Sequence, residues 1–277
     1  MHYITLDVPF KLDLSVSCGQ SFRWREIDGF WYAPVGESIW KLRQVGNTLY
    51  YDGASETEIK HYFALDVPLD AILSSIDTDE LIHSAASSCR GLRIHRQPPF
   101  ECLISYICAT CANIPGIRLR VENLSKMYGK ELEKDGQLFY TFPTPDSLEN
   151  AEDLRCCKVG YRERYIQSAV SYVQSHPSWI SHMQSLSYNE AKKELLTISG
   201  VGQKVADCVL LFAFEKYESV PIDVWIERIF RTRYLHLEKK LPYNTLSNFA
   251  REHFGQYAGY AQEYLFAERE ILSKKGE

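Results

Sequence analysis

The chain has 277 residues, of which 45% are hydrophobic and 24% are charged. This length suits one large domain or two to three modest ones, and it can bury a substantial core without disulfides. The net charge of −5 and the isoelectric point of about 5.9 argue against a protein that coats nucleic acid through bulk charge, but they are compatible with a local basic face.

Four short aromatic and β-branched runs near the N-terminus, separated by glycine-containing turn signals, predict an antiparallel sheet built from hairpins. These runs are residues 22–25, 30–35, 39–43 and 48–51. From about Thr57 the apolar spacing becomes helical. Two prolines in the 97–99 segment signal a boundary. We therefore expect an α+β domain over residues 1–96 and a larger helical domain over residues 97–277.

The second part of the chain is predicted to be almost entirely helical. The predicted helices include residues 100–111, 117–128, 165–174 and 188–197. The first of them is a long apolar segment and is expected to be buried. A loop follows Phe142, and either Thr144 or Asp146 is placed to cap the next helix.

The eight cysteines do not show the spacing of a zinc site. The single CxxC, formed by Cys108 and Cys111, lies in the apolar segment, so a buried helix face is favoured over a redox or metal role. No signal peptide is recognised, and no apolar run has the length of a membrane span. We expect an intracellular, cytoplasmic protein with no membrane partner, a nuclear location being the alternative.

The most informative pattern is a pair of glycines, Gly200 and Gly202, between a helix that ends near Leu196 and one that starts near Gln203. Glycines let the backbone approach another molecule closely, and free N–H groups at a helix start suit a phosphate. The pattern predicts a helix–hairpin–helix at about 190–214, which would grip the DNA backbone without reading its sequence. An ordinary helix–helix turn is the alternative.

Two residues in this region are candidates for catalysis. Lys204 stands in the first turn of the new helix, where the macrodipole disfavours the charged amine and favours the neutral, nucleophilic form. A phosphate contact or an ion pair with Asp207 are its alternatives. Asp223 follows Pro221 and precedes a predicted helix at 224–234, so we expect it to cap that helix while facing a cleft.

These residues resemble the helix–hairpin–helix and Gly/Pro…Asp signature of base-excision DNA glycosylases, and the lysine is typical of members that also cleave the strand. Within that superfamily the chain is similar to the 8-oxoguanine DNA glycosylase/AP lyase family, especially its bacterial-type members. The likeness runs in order through residues 18–25, 101–108, 160–165, 200–204, 220–223 and 257–262. It implies an α+β fold with a TATA-binding-protein-like antiparallel sheet domain and an all-α helix–hairpin–helix glycosylase core.

The resemblance also implies a mechanism. The damaged nucleotide would flip out of the duplex, Lys204 would attack C1′, and a Schiff base followed by β-elimination would cut the strand. Asp223 would stabilise the positive charge that develops on the sugar. The base would be recognised by Gly19, Cys208, Gln262 and Phe266. The Gly19 carbonyl would accept a hydrogen bond from N7–H, which guanine lacks, and Gln262 would read the Watson–Crick edge. Core packing is the alternative for Cys208 and Phe266, which would sandwich the base.

Further DNA contacts are implied at Asn113, Tyr161, Arg162, Gly200, Gly202, Gln203, Val224 and Trp225. Tyr161 would fill the gap left by the flipped nucleotide, and Arg162 would contact the orphaned cytosine unless it is a solvated surface arginine. The family's asparagine run is altered here to Cys111, and the arginine that follows it in some members is Gly116. These changes weaken the expectation of a strict preference for cytosine. Trp225 replaces a histidine of eukaryotic members, but its indole N–H can still donate to a phosphate.

The resemblance implies no cofactor. No cysteine follows Cys208, so the C-terminal four-cysteine iron–sulfur cluster of some relatives cannot form. No side-chain metal site is expected, although the carbonyls of Leu196, Ile198 and Val201 would suit a structural cation. We expect a monomer that acts on double-stranded DNA with 8-oxoguanine opposite cytosine, at the nucleoid of a bacterium. The alternatives are a sister glycosylase for another oxidised or alkylated base and a non-catalytic DNA-binding module.

Overall fold

The computed structural model describes residues 1–274 and contains a five-stranded antiparallel sheet with the order β1-β5-β4-β3-β2. The strands are β1 (His2–Thr5), β2 (Arg25–Ile27), β3 (Phe30–Val35), β4 (Ser38–Val45) and β5 (Thr48–Asp52). Three of the four runs that the sequence indicated are strands, and the first begins only at Arg25. Strand β1 was not predicted, because its four residues belong to the sheet only through pairing with β5 far along the chain.

The turn between β2 and β3 shows why the sequence specifies hairpins here. Asp28 and Gly29 both have positive φ, at 51° and 75°. Two successive left-handed residues form the tight turn whose twist matches that of the flanking strands, and Asp-Gly adopts it readily. The register follows directly, with Ile27 paired to Phe30.

Within the described residues, fifteen α-helices follow one another around and after the sheet. They are α1 (Leu12–Ser17), α2 (Glu56–Tyr62), α3 (Leu69–Ile76), α4 (Glu80–Ser88), α5 (Pro99–Cys108), α6 (Ile114–Tyr128), α7 (Pro145–Glu149), α8 (Glu163–Ser175), α9 (Trp179–Ser185), α10 (Tyr188–Leu195), α11 (Gln203–Phe214), α12 (Val224–Ile229), α13 (Tyr243–Phe254), α14 (Ala258–Ala267) and α15 (Arg269–Lys274). None of the helices within residues 1–274 is long and apolar enough to cross a membrane.

Helix α5 ends three residues before the end of the predicted apolar helix. Cys111 has a φ of 51°, a left-handed conformation that a helix cannot continue through. Cys108 is buried in the core and Cys111 is exposed. The expectation that both cysteines share a buried helix face is therefore wrong. The capping prediction for α7 is confirmed for Thr144, whose hydroxyl accepts a hydrogen bond from the Ser147 amide.

A second hairpin, β6 (Glu131–Lys134) and β7 (Gln137–Tyr140), interrupts the part of the chain that was predicted to be helical. It packs on the main sheet through two ion pairs, Lys41 with Asp135 and Lys134 with Asp52, each at 2.6 Å. Its signal was the Asp135-Gly136 turn between short strands, but strands of four residues have too little alternation to be recognised alone.

Two main hydrophobic cores organise these elements. One lies between the sheet and helices α1 and α2, with Trp40, Leu49 and Phe63 buried at its centre. The larger one joins α3 and α4 to the later helices, so residues from both sides of the predicted 96/97 boundary share it. The division into two domains at that boundary stays a prediction.

Arg93 connects these parts, because its fully buried guanidinium donates hydrogen bonds to the carbonyls of Pro9, Ala64 and Val67. We predict that Arg93→Met lowers the free energy of unfolding by about 3–5 kcal/mol, since three buried carbonyl groups lose their donor. Urea unfolding followed by fluorescence measures this change. Arg90, whose ion pair with Asp70 is exposed, provides the control: Arg90→Met should cost less than about 0.5 kcal/mol. Equal effects of the two variants would contradict the assignment.

Candidate active site

Helices α10 and α11 and the turn between them form a helix–hairpin–helix. Gly200 has a φ of 89°, and a Cβ added there would lie 2.2 Å from the ring of Tyr165, so glycine is required. Gly202 caps α11 without a side-chain hydrogen bond, and nothing lies within 4 Å of the position that its Cβ would occupy. Gly202, Gln203 and Lys204 all line the cleft, so the start of α11 is open there, and the free amide groups of a helix start suit a phosphate oxygen.

Lys204 stands in the first turn of α11, half-buried, with its Nζ 4.9 Å from the centroid of the Tyr106 ring. The Tyr106 ring is in turn stacked on Phe212. The alternative in which Lys204 pairs with Asp207 is wrong, because the Asp207 carboxylate binds Lys192 at 2.7 Å instead. The Lys204 amine is thus directed to the cleft.

Asp207 is fully buried and organises the surroundings of the hairpin. Its hydrogen-bond donors are Tyr188, Lys192, Ser219 and Tyr243, at distances from 2.6 to 2.9 Å. The Tyr243 hydroxyl also accepts a hydrogen bond from the backbone N–H of Ile222, at 3.2 Å. Because Ile222 directly precedes Asp223, this network fixes the segment that carries Asp223 against the helix that carries Lys204.

Asp223 caps α12, as predicted. Its Oδ1 accepts hydrogen bonds from the amides of Trp225 and Ile226, both at 2.9 Å. Burial raises the pKa of the Asp223 carboxyl, while the Ile226 amide and the charge of Lys204 act in the opposite direction. The cap thus holds a carboxylate next to Lys204, although the helix is shorter than predicted and continues as a π-helical turn, Phe230–Tyr234.

A cleft of about 1000 Å³ runs across this face of the molecule, between the α5–α6 loop, the hairpin and the Asp223 segment. A smaller recess of about 50 Å³ opens beside Lys204. The recess is lined by Gly19, Tyr106, Lys204, Cys208, Phe212, Pro221, Asp223, Gln262, Glu263 and Phe266. The structure therefore brings together all six residues for which the sequence analysis expected a catalytic or base-recognition role.

The four expected base-recognition residues have properties that suit a binding recess. Gly19 has a φ of 103°, and a Cβ there would contact Phe266 at 3.5 Å. Gln262 is buried, and its Oε1 has no hydrogen-bond partner among the described residues, so it is a free acceptor. Burial raises the pKa of the Cys208 thiol to about 12, which keeps it protonated. The ring of Phe266 is only partly buried and carries the Arg269 guanidinium 4.2 Å from its centroid.

Most of the expected DNA contacts line the cleft. These are Tyr161, Gly200, Gly202, Gln203 and Val224, together with Cys111. Tyr161 is 52% exposed and Val224 72% exposed, so both are free to touch a ligand. Asn113, Arg162 and Trp225 do not line the cleft. The Arg228 guanidinium lies 5.7 Å from the centroid of the Trp225 ring.

Arg162 and Asn113 are engaged inside the protein. Arg162 is buried, and its guanidinium donates hydrogen bonds to the carbonyls of Thr110 and Val159, so the alternative of a solvated surface arginine is wrong. Asn113 caps α6, with its Oδ1 2.9 Å from the Gly116 amide. A Cβ at Gly116 would lie only 2.9 Å from the same oxygen, so glycine at this position leaves room for the cap.

The sequence analysis gave no catalytic or base-recognition role to four of the ten recess residues, and two of these four, Tyr106 and Glu263, carry polar groups. Tyr106 lies in the apolar run of α5, where an aromatic residue indicates core packing and gives no sign of a functional role. Glu263 follows Gln262 in α14 and is buried. A charged residue within the otherwise apolar segment 258–267 was the signal that could have identified it. Within the described part of the chain, no group of three or more His, Cys, Asp or Glu side chains could hold a metal ion.

Residues 4–103 match the family model described as the N-terminal domain of 8-oxoguanine DNA glycosylase. The probable N-glycosylase/DNA lyase of Methanothermobacter thermautotrophicus is 31% identical over 93% of this chain and 92% of its own. The apo-form of Clostridium acetobutylicum 8-oxoguanine glycosylase/lyase is 32% identical with a TM-score of 0.88, covering 94% of this chain and 93% of that one.

The same Clostridium acetobutylicum enzyme in complex with double-stranded DNA that contains cytosine opposite 8-oxoG gives a TM-score of 0.89 at 30% identity, with 98% of both chains covered. The agreement extends from the first strand to the last helices, and it includes the α+β architecture that the sequence predicted. Sequence and structure therefore place this chain in the family of 8-oxoguanine DNA glycosylases that act as N-glycosylase/DNA lyases.

Proposed function

We propose that this chain excises 8-oxoguanine from duplex DNA and cleaves the strand at the resulting abasic site. The observation that carries the proposal is the recess, in which the Lys204 amine and the Asp223 carboxylate lie beside the free acceptor of Gln262. Relatives that share about a third of their residues over nearly the whole chain are named a probable N-glycosylase/DNA lyase and an 8-oxoguanine glycosylase/lyase.

The DNA backbone would be held by the hairpin, whose open amide groups at Gly202 and Gln203 are placed to bind a phosphate. Tyr161, exposed at the far side of the cleft, would fill the gap left in the duplex by the flipped nucleotide. The indole N–H of Trp225 would donate to a phosphate outside the cleft. One copy of the chain presents the whole cleft, so we propose that it acts as a monomer.

The extrahelical base would enter the recess between Cys208 and Phe266. A recess of about 50 Å³ is much smaller than the cavity of roughly 150 Å³ that binds a benzene ring. We propose that the half-buried Phe266 ring, which lines both the recess and the cleft, moves to admit a purine. Once inside, the base would present N7–H to the Gly19 carbonyl and its Watson–Crick edge to Gln262. Undamaged guanine has a lone pair at N7, which leaves that carbonyl without a donor.

The chemistry would use the chain's own side chains. The lone pair of the Lys204 Nζ forms a bond to C1′ as the bond between C1′ and the base breaks, and the electron pair of that bond leaves with the base. Asp223 stabilises the positive charge on the sugar during this step. The nitrogen then loses a proton, and its lone pair expels O4′ from C1′, which opens the sugar ring and gives the Schiff base. The Schiff base makes the proton at C2′ acidic, and loss of that proton expels the phosphate at C3′ and cuts the strand.

A structural cation at the hairpin would fit the carbonyls of Leu196, Ile198 and Val201. The Ile198 oxygen accepts one hydrogen bond, from the Val201 amide at 3.0 Å, which leaves a second lone pair for an ion. Such an ion would bring positive charge to the DNA phosphate that the hairpin holds. We propose no other cofactor, and we propose the bacterial cytoplasm, at the nucleoid, as the place of action.

The role of Lys204 predicts a covalent intermediate. With borohydride, wild type should give a trapped adduct on a duplex containing 8-oxoguanine, and Lys204→Gln should give none, with base release slower by roughly 10³-fold or more. Lys126→Gln, at an exposed position of α6, is the control that should behave as wild type. Base release by Lys204→Gln at the wild-type rate would remove Lys204 as the nucleophile; no release by wild type on any duplex would favour a DNA-binding module.

The altered α5–α6 loop predicts a relaxed choice of the opposite base. Cys111 has no amide to offer to cytosine, and the Arg162 guanidinium is bound to Thr110. We expect single-turnover excision opposite cytosine to exceed that opposite adenine by less than about tenfold, and Cys111→Asn to increase this ratio by roughly fivefold, the worth of one hydrogen bond. A ratio above about 100-fold in wild type would contradict this interpretation.

The Asp207 network predicts an effect on catalysis without contact to substrate. Tyr243→Phe removes the hydrogen bonds to Asp207 and from Ile222, so we expect it to lower stability by about 1 kcal/mol and strand cleavage by roughly tenfold. Tyr234→Phe is the matched control, because it removes a hydroxyl that donates to Asp79 outside the cleft. A Tyr243→Phe enzyme with lower stability and full activity would show that the network only stabilises the fold.

A further inference from the structure

Glu263 lies in the recess but has no part in the steps described above. It follows Gln262 in α14, its side chain is only 2% exposed, and it lines the recess together with Lys204 and Asp223. A buried carboxyl group is costly unless it is paired. Its position beside the reacting groups therefore requires an explanation.

The carboxyl group of Glu263 has few partners. Its Oε1 accepts a hydrogen bond from the Cys18 thiol, with 3.3 Å between oxygen and sulfur. Burial and the neighbouring Glu263 raise the pKa of Cys18, so the thiol keeps its proton and acts as the donor. No Lys, Arg or His within residues 1–272 forms an ion pair with Glu263, and a carboxylate can accept about four hydrogen bonds. Oε2 is therefore available to a ligand in the recess.

The chain around Glu263 shows which side of a bound base it would face. Its partner Cys18 directly precedes Gly19, whose carbonyl is proposed to bind N7–H, whereas Gln262 is proposed to bind the opposite, Watson–Crick edge. Burial raises the pKa of Glu263 to about 7, so the group is ionised above that pH. The hydrogen bond from Cys18 and the charges of Arg269 and Lys204 lower the pKa of Glu263, whereas the charge of Asp223 raises it.

A carboxylate facing N7 would discriminate between 8-oxoguanine and undamaged guanine. An oxidised guanine presents an N–H donor at N7, which a carboxylate oxygen binds strongly. Undamaged guanine presents a lone pair at N7, which a carboxylate repels. Attraction of one ligand and repulsion of the other both increase specificity.

We propose that Glu263 is a specificity-determining residue, whose free carboxylate oxygen accepts a hydrogen bond from N7–H of the oxidised guanine in the recess. This inference rests on the proposed function. It adds to the neutral Gly19 carbonyl a charged acceptor that the sequence analysis did not identify.

The test separates reading of the base from chemistry at the sugar. Single-turnover rates are measured above pH 7 on two duplexes, one with 8-oxoguanine opposite cytosine and one with a preformed abasic site. Glu263→Gln should slow excision of 8-oxoguanine about tenfold or more, because a charged acceptor is lost. Cleavage of the abasic site, where no base is read, should stay within about twofold of wild type, because Lys204 and Asp223 are unchanged.

Two further variants act as controls. The Glu268 carboxyl group also accepts a hydrogen bond from a cysteine thiol, that of Cys89 at 3.4 Å, but it lies outside the recess. Glu268→Gln should therefore behave as wild type. Cys18→Ala removes the thiol partner and should retain most of the excision rate. Glu263→Asp, which withdraws the charge by one methylene, should slow excision and spare abasic-site cleavage, and it serves if the glutamine variant fails to fold.

Four outcomes would overturn the inference. Unchanged excision by Glu263→Gln would show that the carboxylate is not used, and a parallel loss on both duplexes would indicate a structural role. A loss in Cys18→Ala as large as that in Glu263→Gln would mean that Glu263 acts by positioning the Gly19 loop. Wild type without activity on 8-oxoguanine would remove the proposed function itself, and the inference with it.

Discussion

The ion pair between Lys192 and Asp207 is the interaction on which the arrangement of the site depends. A fully buried carboxylate is tolerated only when several donors surround it, and here they come from α10, α13 and the segment before Asp223. Because Asp207 lies in α11 one turn after Lys204, these donors bring the other elements into a fixed relation to the nucleophile. The distance between Lys204 and Asp223 is thereby set by residues that touch no substrate.

A second constraint connects the N-terminal sheet region to the same site. The Gln20 side chain donates to the Arg93 carbonyl at 2.8 Å and accepts from the His95 amide at 2.8 Å. The backbone carbonyl of Gln20 accepts a hydrogen bond from the Tyr106 hydroxyl at 2.9 Å. Gln20 thus fixes the position of the neighbouring Gly19. Tyr106, whose ring lies beneath Lys204, contributes one of the hydrogen bonds that fix Gln20.

The sequence predicted those features that follow local rules. Gly200 and Gly202, the cap at Asp223 and the hairpin strands each depend on residues within a few positions, so their signals are legible in the chain. The buried state of Arg162 could not be predicted, because its partner, the Thr110 carbonyl, is distant in sequence. The same holds for Cys111, where the left-handed backbone ends α5 although the apolar pattern continues. The resemblance to a family supplied Gly19, Gln262 and Phe266, for which spacing alone offers no signal.

The small volume of the recess has a consequence for the energetics of recognition. A protein whose receptive state is one of several populated states binds its ligand with an affinity reduced by the fraction in that state. In the proposed mechanism the Phe266 ring, with the Arg269 guanidinium over it, moves before a purine enters, so the receptive recess is a different state from the one described above. Every base that leaves the duplex therefore faces the same free-energy cost of opening the recess. Only a base whose contacts in the recess stabilise it by more than that cost stays long enough to react. Selection therefore begins before any bond is broken.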